Sequence, residues 1–555
     1  MAGQSRKWMI LVATIWIQAF TGTNFDFSAY STKLKSVLGI TQVQLNFLSV
    51  ASDMGKAFGW CSGVSLLYLP LWVVMFIAAF MGVIGYGLQW LIIKQIISLP
   101  YFLVFPFCLM AGCSICWFNT VCYVLCIKNF PVNRALALSL TISFNGVTAA
   151  LYTLIANAID PQNETVYLFL NSFLPLLISA IALLFILRQP PPSQLTTDMI
   201  SRDSFIFLCL NVLAVITGLY LLLLNSLSSV ASTARFLLGG AIFLLALPLC
   251  LPGIVSARDW TWHNIRSSSL FDHLSFSLVS ADNLELFTGT SSNGNSYSVL
   301  ENERCFSCFR CFGKVMYKDR LTMLGEEHPV QWLVRRLDFW LYYIAYLCGG
   351  TLGLAYSNNL GQIAQSLGFI SKVDSLLTLY SSCSFFGRLL SAAPDFLHDK
   401  VNFARTGWLA IALVPTPVAL FLLVASGSEA ALRSSTALIG LSSGFIFSAA
   451  VSITSELFGP NSAGVNHNLL ITNIPLGSLL YGLLAATLYD DNAEGTLRTI
   501  LGEEMVCMGR HCYLRTFFFW GCISLVGLVS SSVLFFRTKP AYDRFERNTN
   551  SIQSS

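Results

Sequence analysis

The sequence predicts an all-α integral membrane protein, with two six-helix bundles separated by two extra helices. Three observations support this fold class: a composition too apolar for a soluble protein, about fourteen apolar runs long enough to cross a bilayer, and a similarity between the first six runs and the last six. Most of the chain is therefore expected to lie within a lipid bilayer.

The composition sets the environment of the chain. Of its 555 residues, 55% are hydrophobic and 11% are charged, and the mean hydropathy is +0.66. Soluble globular proteins carry about 25% charged residues, so a soluble enzyme, a disordered protein and a collagen-like fibre are excluded. The net charge of +4 and the lack of a basic stripe interleaved with aromatic residues argue against a nucleic-acid partner.

A helix that crosses the hydrocarbon core needs about 20 largely apolar residues. Such runs lie at 8–30, 43–66, 70–92, 100–127, 135–158 and 165–187, then at 203–226 and 233–254, and finally at 337–358, 372–394, 404–425, 431–457, 463–488 and 515–537. The run at 8–30 lacks a signal-peptide cleavage pattern and is interpreted as a retained first helix. The predicted organisation is a bundle (1–189), a linker with two extra helices (190–255), a partly disordered cytosolic loop (256–335), a second bundle (336–538) and a cytosolic tail (539–555).

The basic residues predict the orientation. More Lys and Arg lie on the side of both termini than on the opposite side, so both termini are predicted to be cytosolic. The one Asn-x-Ser/Thr sequon, at Asn163, falls in a predicted outer loop and is a candidate glycosylation site. Plasma, vacuolar and endoplasmic reticulum membranes are not distinguished.

The first and last six runs resemble each other. Gly112 precedes Lys-Asn-Phe-Pro at 128–131, and Gly440 precedes Glu-Leu-Phe-Gly-Pro at 456–460 by the same interval. Two similar halves that rock about a central site expose it to one side at a time. The repeat therefore indicates a secondary transporter that works by alternating access.

Several motifs resemble one known family. They are Gly22-Thr23-Asn24, Tyr30-Ser31, Leu38-Gly39, Leu45-Asn46, Lys128-Asn129-Phe130-Pro131 and Tyr356-Ser357-Asn358-Asn359. They resemble the plant nodulin-like proteins of the major facilitator superfamily, a group that includes the nuclear-fusion-defective type. The resemblance implies a major facilitator-type fold with a central cavity. The second half also resembles the monocarboxylate and oxalate/formate transporters, at Gly387-Arg388, Pro394-Asp395 and 457–460. This resemblance implies that the transported solute is a small organic anion.

Ionisable groups within a bilayer cost at least about 2.5 kcal/mol each and are functional candidates. Arg388 matches an anion-binding arginine of the carboxylate transporters, and its planar fork suits a carboxylate. The alternative is a structural arginine paired with Asp395 or with helix-end carbonyl groups. Asp26 is a candidate proton carrier or a carboxylate wetted at the outer mouth.

Other polar residues in the runs have binding, gating or structural interpretations. Asp53 and Lys56 share a helix face and are predicted to pair as a gating or structural element. Asp395 and Arg405 retain part of the superfamily's loop signature. Glu456 is a candidate gate contact with His467. Seven amides either bind the solute or bond neighbouring helices: Asn24, Asn119, Asn145, Asn358, Asn359, Gln362 and Asn473.

Five cysteines lie outside the apolar runs. Cys507 and Cys512 are a candidate disulfide in an outer loop. Cys305, Cys308 and Cys311 are favoured for S-acylation, with unmodified thiols as an alternative. A structural zinc site would need a fourth ligand, for which His328 is the nearest candidate. No metal or other cofactor is predicted.

The sequence thus predicts a secondary-active or facilitative transporter of a small organic anion, with protons as a candidate coupling ion and a monomer as the transport unit. The chain lacks a nucleophile elbow, a Walker loop and paired carboxylates with a base, so it is not predicted to be an enzyme. Two alternatives stay open: a membrane scaffold or receptor that acts through its cytosolic loop, and a transporter of an uncharged solute or a metal.

Overall fold

The computed structural model describes residues 2–23, 27–40, 42–160, 165–187, 197–225, 230–255, 320–321, 323–397, 403–493 and 507–553. Every regular element in these ranges is a helix. The all-α class predicted from the sequence is therefore what the described part of the chain adopts.

The first half of the chain is built from α1 to α9, and the inserted pair is α10 and α11. Their bounds are α1 (Ala2–Thr21), α2 (Phe27–Leu38), α3 (Gln42–Ala57), α4 (Trp60–Tyr68), α5 (Leu71–Ile93), α6 (Tyr101–Asn129), α7 (Arg134–Ser143), α8 (Thr148–Ile159), α9 (Val166–Ile186), α10 (Thr197–Asn225) and α11 (Ala231–Ala246). A 3₁₀ turn at Phe144–Val147 joins α7 to α8.

The second half of the chain is built from α12 to α22. Their bounds are α12 (Val330–Leu333), α13 (Leu337–Tyr346), α14 (Leu352–Ser366), α15 (Val373–Leu390), α16 (Ala393–Leu397), α17 (Arg405–Leu413), α18 (Pro415–Ala425), α19 (Glu429–Phe458), α20 (Ala463–Leu470), α21 (Asn473–Ala493) and α22 (His511–Gln553). A π-helical turn at Leu347–Thr351 joins α13 to α14.

Ten helical segments in the described part of the chain are long and apolar enough to cross a membrane, which makes this a multi-pass integral membrane protein. They are Leu71–Ile93, Tyr101–Asn129, Arg134–Ile159, Val166–Ile186, Arg202–Leu221, Ala231–Val255, Arg405–Ala425, Glu429–Phe458, Ala463–Tyr489 and His511–Phe545. The other predicted runs, 8–30, 43–66, 337–358 and 372–394, overlap helices α1, α3–α4, α13–α14 and α15. The six-two-six arrangement of fourteen spans stays a prediction.

Several predicted runs contain helix breaks that the hydropathy pattern does not indicate. Helix α1 ends at Thr21, before the predicted limit at 30, and the run 43–66 is divided at Phe58–Gly59 between α3 and α4. Pro415 begins α18 just after α17, because a proline ring lacks the N–H that would continue the helical bonds. The predicted span boundaries are corrected at these points.

The last helix extends beyond the predicted run 515–537. Helix α22 continues to Gln553, so most of the predicted tail (539–555) belongs to it. Arg537 of this helix is buried: its Nε lies 2.5 Å from Asp338 Oδ1, and both side chains are 0% exposed.

A glycine in each half allows a close contact between two helices. A Cβ at Gly55 in α3 would lie 2.1 Å from the Leu109 carbonyl oxygen of α6, and a Cβ at Gly387 in α15 would lie 2.1 Å from the Leu441 carbonyl oxygen of α19. Any side chain at these positions would force the backbones apart. The repeat therefore records one packing arrangement used in both halves.

The inserted pair packs mainly on the first half. Trp16 of α1 donates from Nε1 to the Leu245 carbonyl oxygen of α11 at 2.8 Å, and Lys7 forms a buried ion pair with Asp203 of α10. Further along α10, a Cβ at Gly218 would lie 2.3 Å from a ring carbon of Phe385 in the second half. Helix α10 thus contacts both halves.

Candidate functional site

The two halves meet along a polar surface that we call the seam, formed by Asp53, Ser62, Thr120 and Asn145 of the first half and by Arg388, Asn468 and Ser478 of the second. Arg388 of this seam is 4% exposed. Its Nη1 donates to Asn145 Oδ1 at 3.1 Å and to the Ile142 carbonyl oxygen at 3.3 Å. An arginine of the second half is thereby bonded to the first half.

The 3₁₀ turn between α7 and α8 brings these acceptors to Arg388. The turn interrupts the i→i−4 bonding of the α-helix, which makes carbonyl groups available to other donors. Gly146 within the turn lets α15 approach, since a Cβ there would lie 3.1 Å from Cα of Phe385. The lack of a side chain at this glycine therefore helps bring the guanidinium within reach of the first half.

Aromatic side chains from both halves surround the guanidinium. The Arg388 Cζ lies 5.8 Å from the ring centroid of Phe447, within the range of a cation–π interaction. Tyr123, Tyr346 and Tyr380 lie within electrostatic range of it. The site thus combines one cation with several aromatic side chains near it.

Three buried polar atoms around this region have no hydrogen-bond partner among the described residues: Asn145 Nδ2, Gln18 Oε1 and His467 Nδ1. The His467 ring packs edge-on against Tyr123, with ring centroids 5.6 Å apart. Thr148 Oγ1 lies 3.3 Å from the Gln18 carbonyl oxygen and 3.1 Å from that of Asn145, which makes these two residues neighbours. An unsatisfied buried polar atom costs about 1–3 kcal/mol, so this region has hydrogen-bonding capacity to offer a bound solute.

A charge pair lies elsewhere on the seam. On α3, Lys56 Nζ lies 2.6 Å from Asp53 Oδ1. The second carboxylate oxygen of Asp53 accepts from Ser478 Oγ of α21 at 2.7 Å. The pair is internally neutralised, and one of its oxygens reaches the other half.

Asn468 of α20 makes a further contact across the seam. Its Nδ2 donates to Thr120 Oγ1 at 3.0 Å, and Ser62 Oγ donates to the same threonine oxygen at 2.7 Å. These contacts lie toward the end of the bundle that carries the turns 130–133 and 459–462, which is the predicted cytosolic end. The halves are therefore bonded together at that end.

The predicted contact between Glu456 and His467 is wrong. Glu456 Oε1 instead accepts from Arg405 Nε at 2.9 Å, and its Oε2 accepts from Tyr542 Oη at 2.9 Å. Asp395, proposed as an alternative partner of Arg388, accepts from Arg405 Nη2 at 2.6 Å and from Nη1 at 3.2 Å. Two carboxylates converge on one guanidinium, and this electrostatic preference decides both pairings.

Four predicted amides have positions or contacts away from Arg388. Asn358 is exposed, and Asn359 Nδ2 donates within its own helix to the Ala355 carbonyl oxygen. Gln362 Oε1 accepts from Tyr513 at 3.1 Å, and Asn473 Oδ1 accepts from Thr351 at 2.6 Å. Among the candidate amides, Asn145 accepts a hydrogen bond from Arg388, whereas Asn119 Oδ1 accepts from Gln18 at 2.9 Å.

Cys507 and Cys512 form a disulfide at the end of the bundle opposite the 459–462 turn, where His511 lies between them in sequence. Six predicted residues lie outside the described residues: Asn24, Asp26, Asn163, Cys305, Cys308 and Cys311. Their predicted roles stay predictions.

Sequence reasoning missed Gln18, Tyr123, Tyr346 and Phe447, and assigned His467 to a different contact. An aromatic residue within an apolar run has the same pattern as one that packs against lipid or core. A polar residue among apolar ones, such as Gln18, was a usable signal, since burial of an amide in a bilayer requires a partner.

The fold is that of a known class of membrane protein. A solved structure of the major facilitator superfamily, the proton:xylose symporter XylE bound to 6-bromo-6-deoxy-D-glucose, superposes with a TM-score of 0.53 and 9% sequence identity over 95% of each chain. At this identity the likeness establishes the fold. The predicted major facilitator-type architecture is confirmed at that level.

The sequence places the chain within a family of this class. Residues 7–253 match the nodulin-like family, and residues 322–543 match the C-terminal domain of NFD4. The protein NUCLEAR FUSION DEFECTIVE 4 of Arabidopsis thaliana is 56% identical over 558 residues, covering 100% of this chain and 93% of that protein. The chain therefore belongs to the nodulin-like family, which confirms the resemblance found from its motifs.

Proposed function

We propose that this protein is a secondary transporter, secondary-active or facilitative, that moves a small organic anion by alternating access and binds it at Arg388. The observation that carries the proposal is the position of this guanidinium: it is buried, belongs to the second half, and is hydrogen-bonded to the first half. A ligand bound there contacts the groups that hold the halves together.

The chemistry of the contact favours an anion. Asn145 Oδ1 and the Ile142 carbonyl oxygen are neutral acceptors, and hydrogen bonds from arginine to a carboxylate are roughly twice as strong as those between neutral groups. A carboxylate that bound the fork would compete with these two acceptors for Nη1. Occupancy of the site would then change the bonding across the seam, which is the coupling that alternating access requires.

The part of the solute beyond its anionic group would lie against the aromatic side chains near Arg388. It could form hydrogen bonds with the buried atoms of Gln18, Asn145 and His467 that have no partner among the described residues. Phe447, over which the Arg388 guanidinium lies, and the nearby Tyr123 and Tyr346 offer aromatic surface. The proposal includes the six-two-six arrangement with both termini in the cytosol, which the distribution of Lys and Arg supports. It also includes a single chain as the transport unit and protons as the coupling ion to be tested.

The test is uptake of labelled monocarboxylates and dicarboxylates into proteoliposomes, with and without an imposed pH gradient. Arg388→Ala is compared with wild type and with Arg433→Ala. Arg433 is a matched control because it lies on α19 of the same half, is half exposed, and pairs with Glu429 on its own helix. We expect saturable uptake that falls roughly tenfold or more in Arg388→Ala, as the loss of hydrogen bonds to a charged group predicts, and stays normal in Arg433→Ala.

The other results separate the alternatives. Uptake of an anion that is equal in Arg388→Ala and wild type would overturn the assigned binding residue. Uptake of sugars or metals without uptake of anions would support the alternative solute classes. A folded protein that moved none of these solutes would favour the scaffold or receptor, and uptake insensitive to the pH gradient would favour a facilitative mechanism.

A further inference from the structure

A short segment without regular secondary structure lies before α12, against the turn that joins α19 to α20. We call residues 325–328 the strap. Gly325 donates its N–H to the Glu456 carbonyl oxygen at 2.7 Å, and His328 donates its N–H to the Phe458 carbonyl oxygen at 3.1 Å. Carbonyl groups at the C-terminal end of a helix lack intrahelical donors, so the strap satisfies two of them at the end of α19.

The side chain of Glu327 bonds to the start of α20. Its Oε1 accepts from the Asn461 N–H at 2.8 Å, and its Oε2 accepts from the Ser462 N–H at 3.0 Å. Ser462 is the N-cap of α20 and makes no side-chain cap of its own. A carboxylate at this position satisfies unpaired N–H groups and interacts favourably with the helix dipole.

Gly459 makes room for this contact. Its φ of 93° lies in the left-handed region that favours glycine. A Cβ at Gly459 would lie 2.5 Å from Cδ of Glu327, closer than nonbonded carbon atoms approach. The turn is therefore shaped to receive the Glu327 carboxylate.

Asn466 ties the strap to α20 one turn further along. Its Nδ2 donates to the His328 carbonyl oxygen at 3.0 Å and lies 3.3 Å from the Phe458 carbonyl oxygen. Helix α20 spans only eight residues, Ala463–Leu470. It is the start of the membrane-spanning segment Ala463–Tyr489, and these hydrogen bonds help to fix where that segment begins.

Three consecutive residues of α20 contact the strap on one side and helix α6 of the first half on the other. Asn466 bonds the strap, His467 packs on Tyr123 at the candidate site, and Asn468 bonds Thr120 across the seam. A shift of α20 would move all three contacts together.

We propose that the strap positions α20 and thereby sets the contact between the two halves, with Glu327 as the positioning residue. A displacement of the strap would then alter the contact between the two halves at the seam. This inference concerns the control of closure and does not depend on which solute, if any, the protein moves.

Hydrogen–deuterium exchange of the full chain in lipid nanodiscs tests the inference without any transport assay. Glu327→Ala is compared with Glu326→Ala, whose side chain is exposed and whose carbonyl, near His328 Nδ1, is retained. We expect exchange over 461–470 to rise roughly five- to tenfold in Glu327→Ala, as loss of a helix cap predicts. We also expect exchange over 58–66 of the first half to rise, and neither segment to change in Glu326→Ala.

A local cap and a positioning device give different patterns. A rise over 461–470 with no change over 58–66 would overturn the inference, as would no change at either segment. Increased exchange over 515–537 would identify a misfolded variant. In that event Glu327→Gln is tested instead, because it retains one acceptor oxygen. Exchange between that of wild type and that of Glu327→Ala at both segments would support the inference, and exchange equal to wild type would overturn it.

Discussion

Two buried arginines of the second half differ in what they bind. Arg537 is bonded to the carboxylate of Asp338 within its own half, through Nε at 2.5 Å and Nη2 at 3.3 Å. Arg388 crosses to the other half and bonds an amide and a backbone carbonyl. An arginine therefore joins α13 to α22 in one place and the two halves of the chain in the other.

The difference follows from the charge of the acceptors. A buried guanidinium loses its hydration, and a carboxylate in bidentate contact returns much of that energy within a fixed geometry. Neutral acceptors return less, so the Arg388 contact is weaker and easier to exchange. A strong pair suits a permanent joint, whereas a weaker contact at the seam suits a group that exchanges protein acceptors for a ligand.

The largest expected effect is at the buried ion pair between Asp338 and Arg537. Asp338→Ala should lower the free energy of unfolding by about 3–5 kcal/mol, because it leaves the Arg537 charge buried without its carboxylate. Thermal unfolding in detergent micelles measures this. The double variant Asp338→Leu with Arg537→Leu should recover most of the loss, since no charge is then buried. A single variant as stable as wild type would show that the pair is not a structural joint.

Arg388→Met should behave differently. Its free energy of unfolding should stay within about 1 kcal/mol of wild type, because removal of a desolvated cation offsets the loss of hydrogen bonds to neutral acceptors, each about 0.5–1.5 kcal/mol. The same thermal unfolding measurement applies. A loss as large as that expected for Asp338→Ala would identify Arg388 as a second structural joint and remove the contrast between the two arginines.

The fold could be predicted where apolar composition alone determines structure. The ten strongest spans coincide with long apolar runs, and the paired glycines at Gly55 and Gly387 show the same packing in both halves. The breaks at Gly59 and Pro415 could not be located, because hydropathy is averaged over a window and does not register the conformational freedom of a glycine or the missing N–H of a proline. Sequence thus indicates where a helix lies in the bilayer better than where it bends.

The candidate site could be predicted residue by residue but not as an arrangement. Arg388 and Asn145 were each selected as polar groups in apolar runs, yet their contact joins positions 243 apart in sequence. The error at Glu456 has a similar cause. Its partner Arg405 lies 51 residues away. The turn between Glu456 and His467 in the sequence favoured a local contact that the helix packing does not make. Long-range pairing depends on helix packing, which the periodicity of one run does not encode.

The smallest expected effect is at Ser478, which bonds Asp53 across the seam but carries no charge. Ser478→Ala should weaken closure by about 1 kcal/mol, roughly a fivefold shift, because one hydrogen bond is lost while the Lys56 pair still neutralises the carboxylate. The readout is the rate at which a maleimide labels Cys116, which is 2% exposed and faces Asn468.

Two controls make that small effect interpretable. Cys108 lies on the same helix as Cys116, is 3% exposed and packs within the first half, so its labelling should not change. Thr487→Ala removes a hydroxyl of α21 that bonds its own helix at the Leu483 carbonyl oxygen, and it should leave Cys116 labelling at the wild-type rate. Equal Cys116 labelling in Ser478→Ala and Thr487→Ala would mean that the Asp53 contact does not hold the seam. Closure would then rest on Arg388 and Asn468, because these are the other hydrogen-bonding residues that the second half places on the seam.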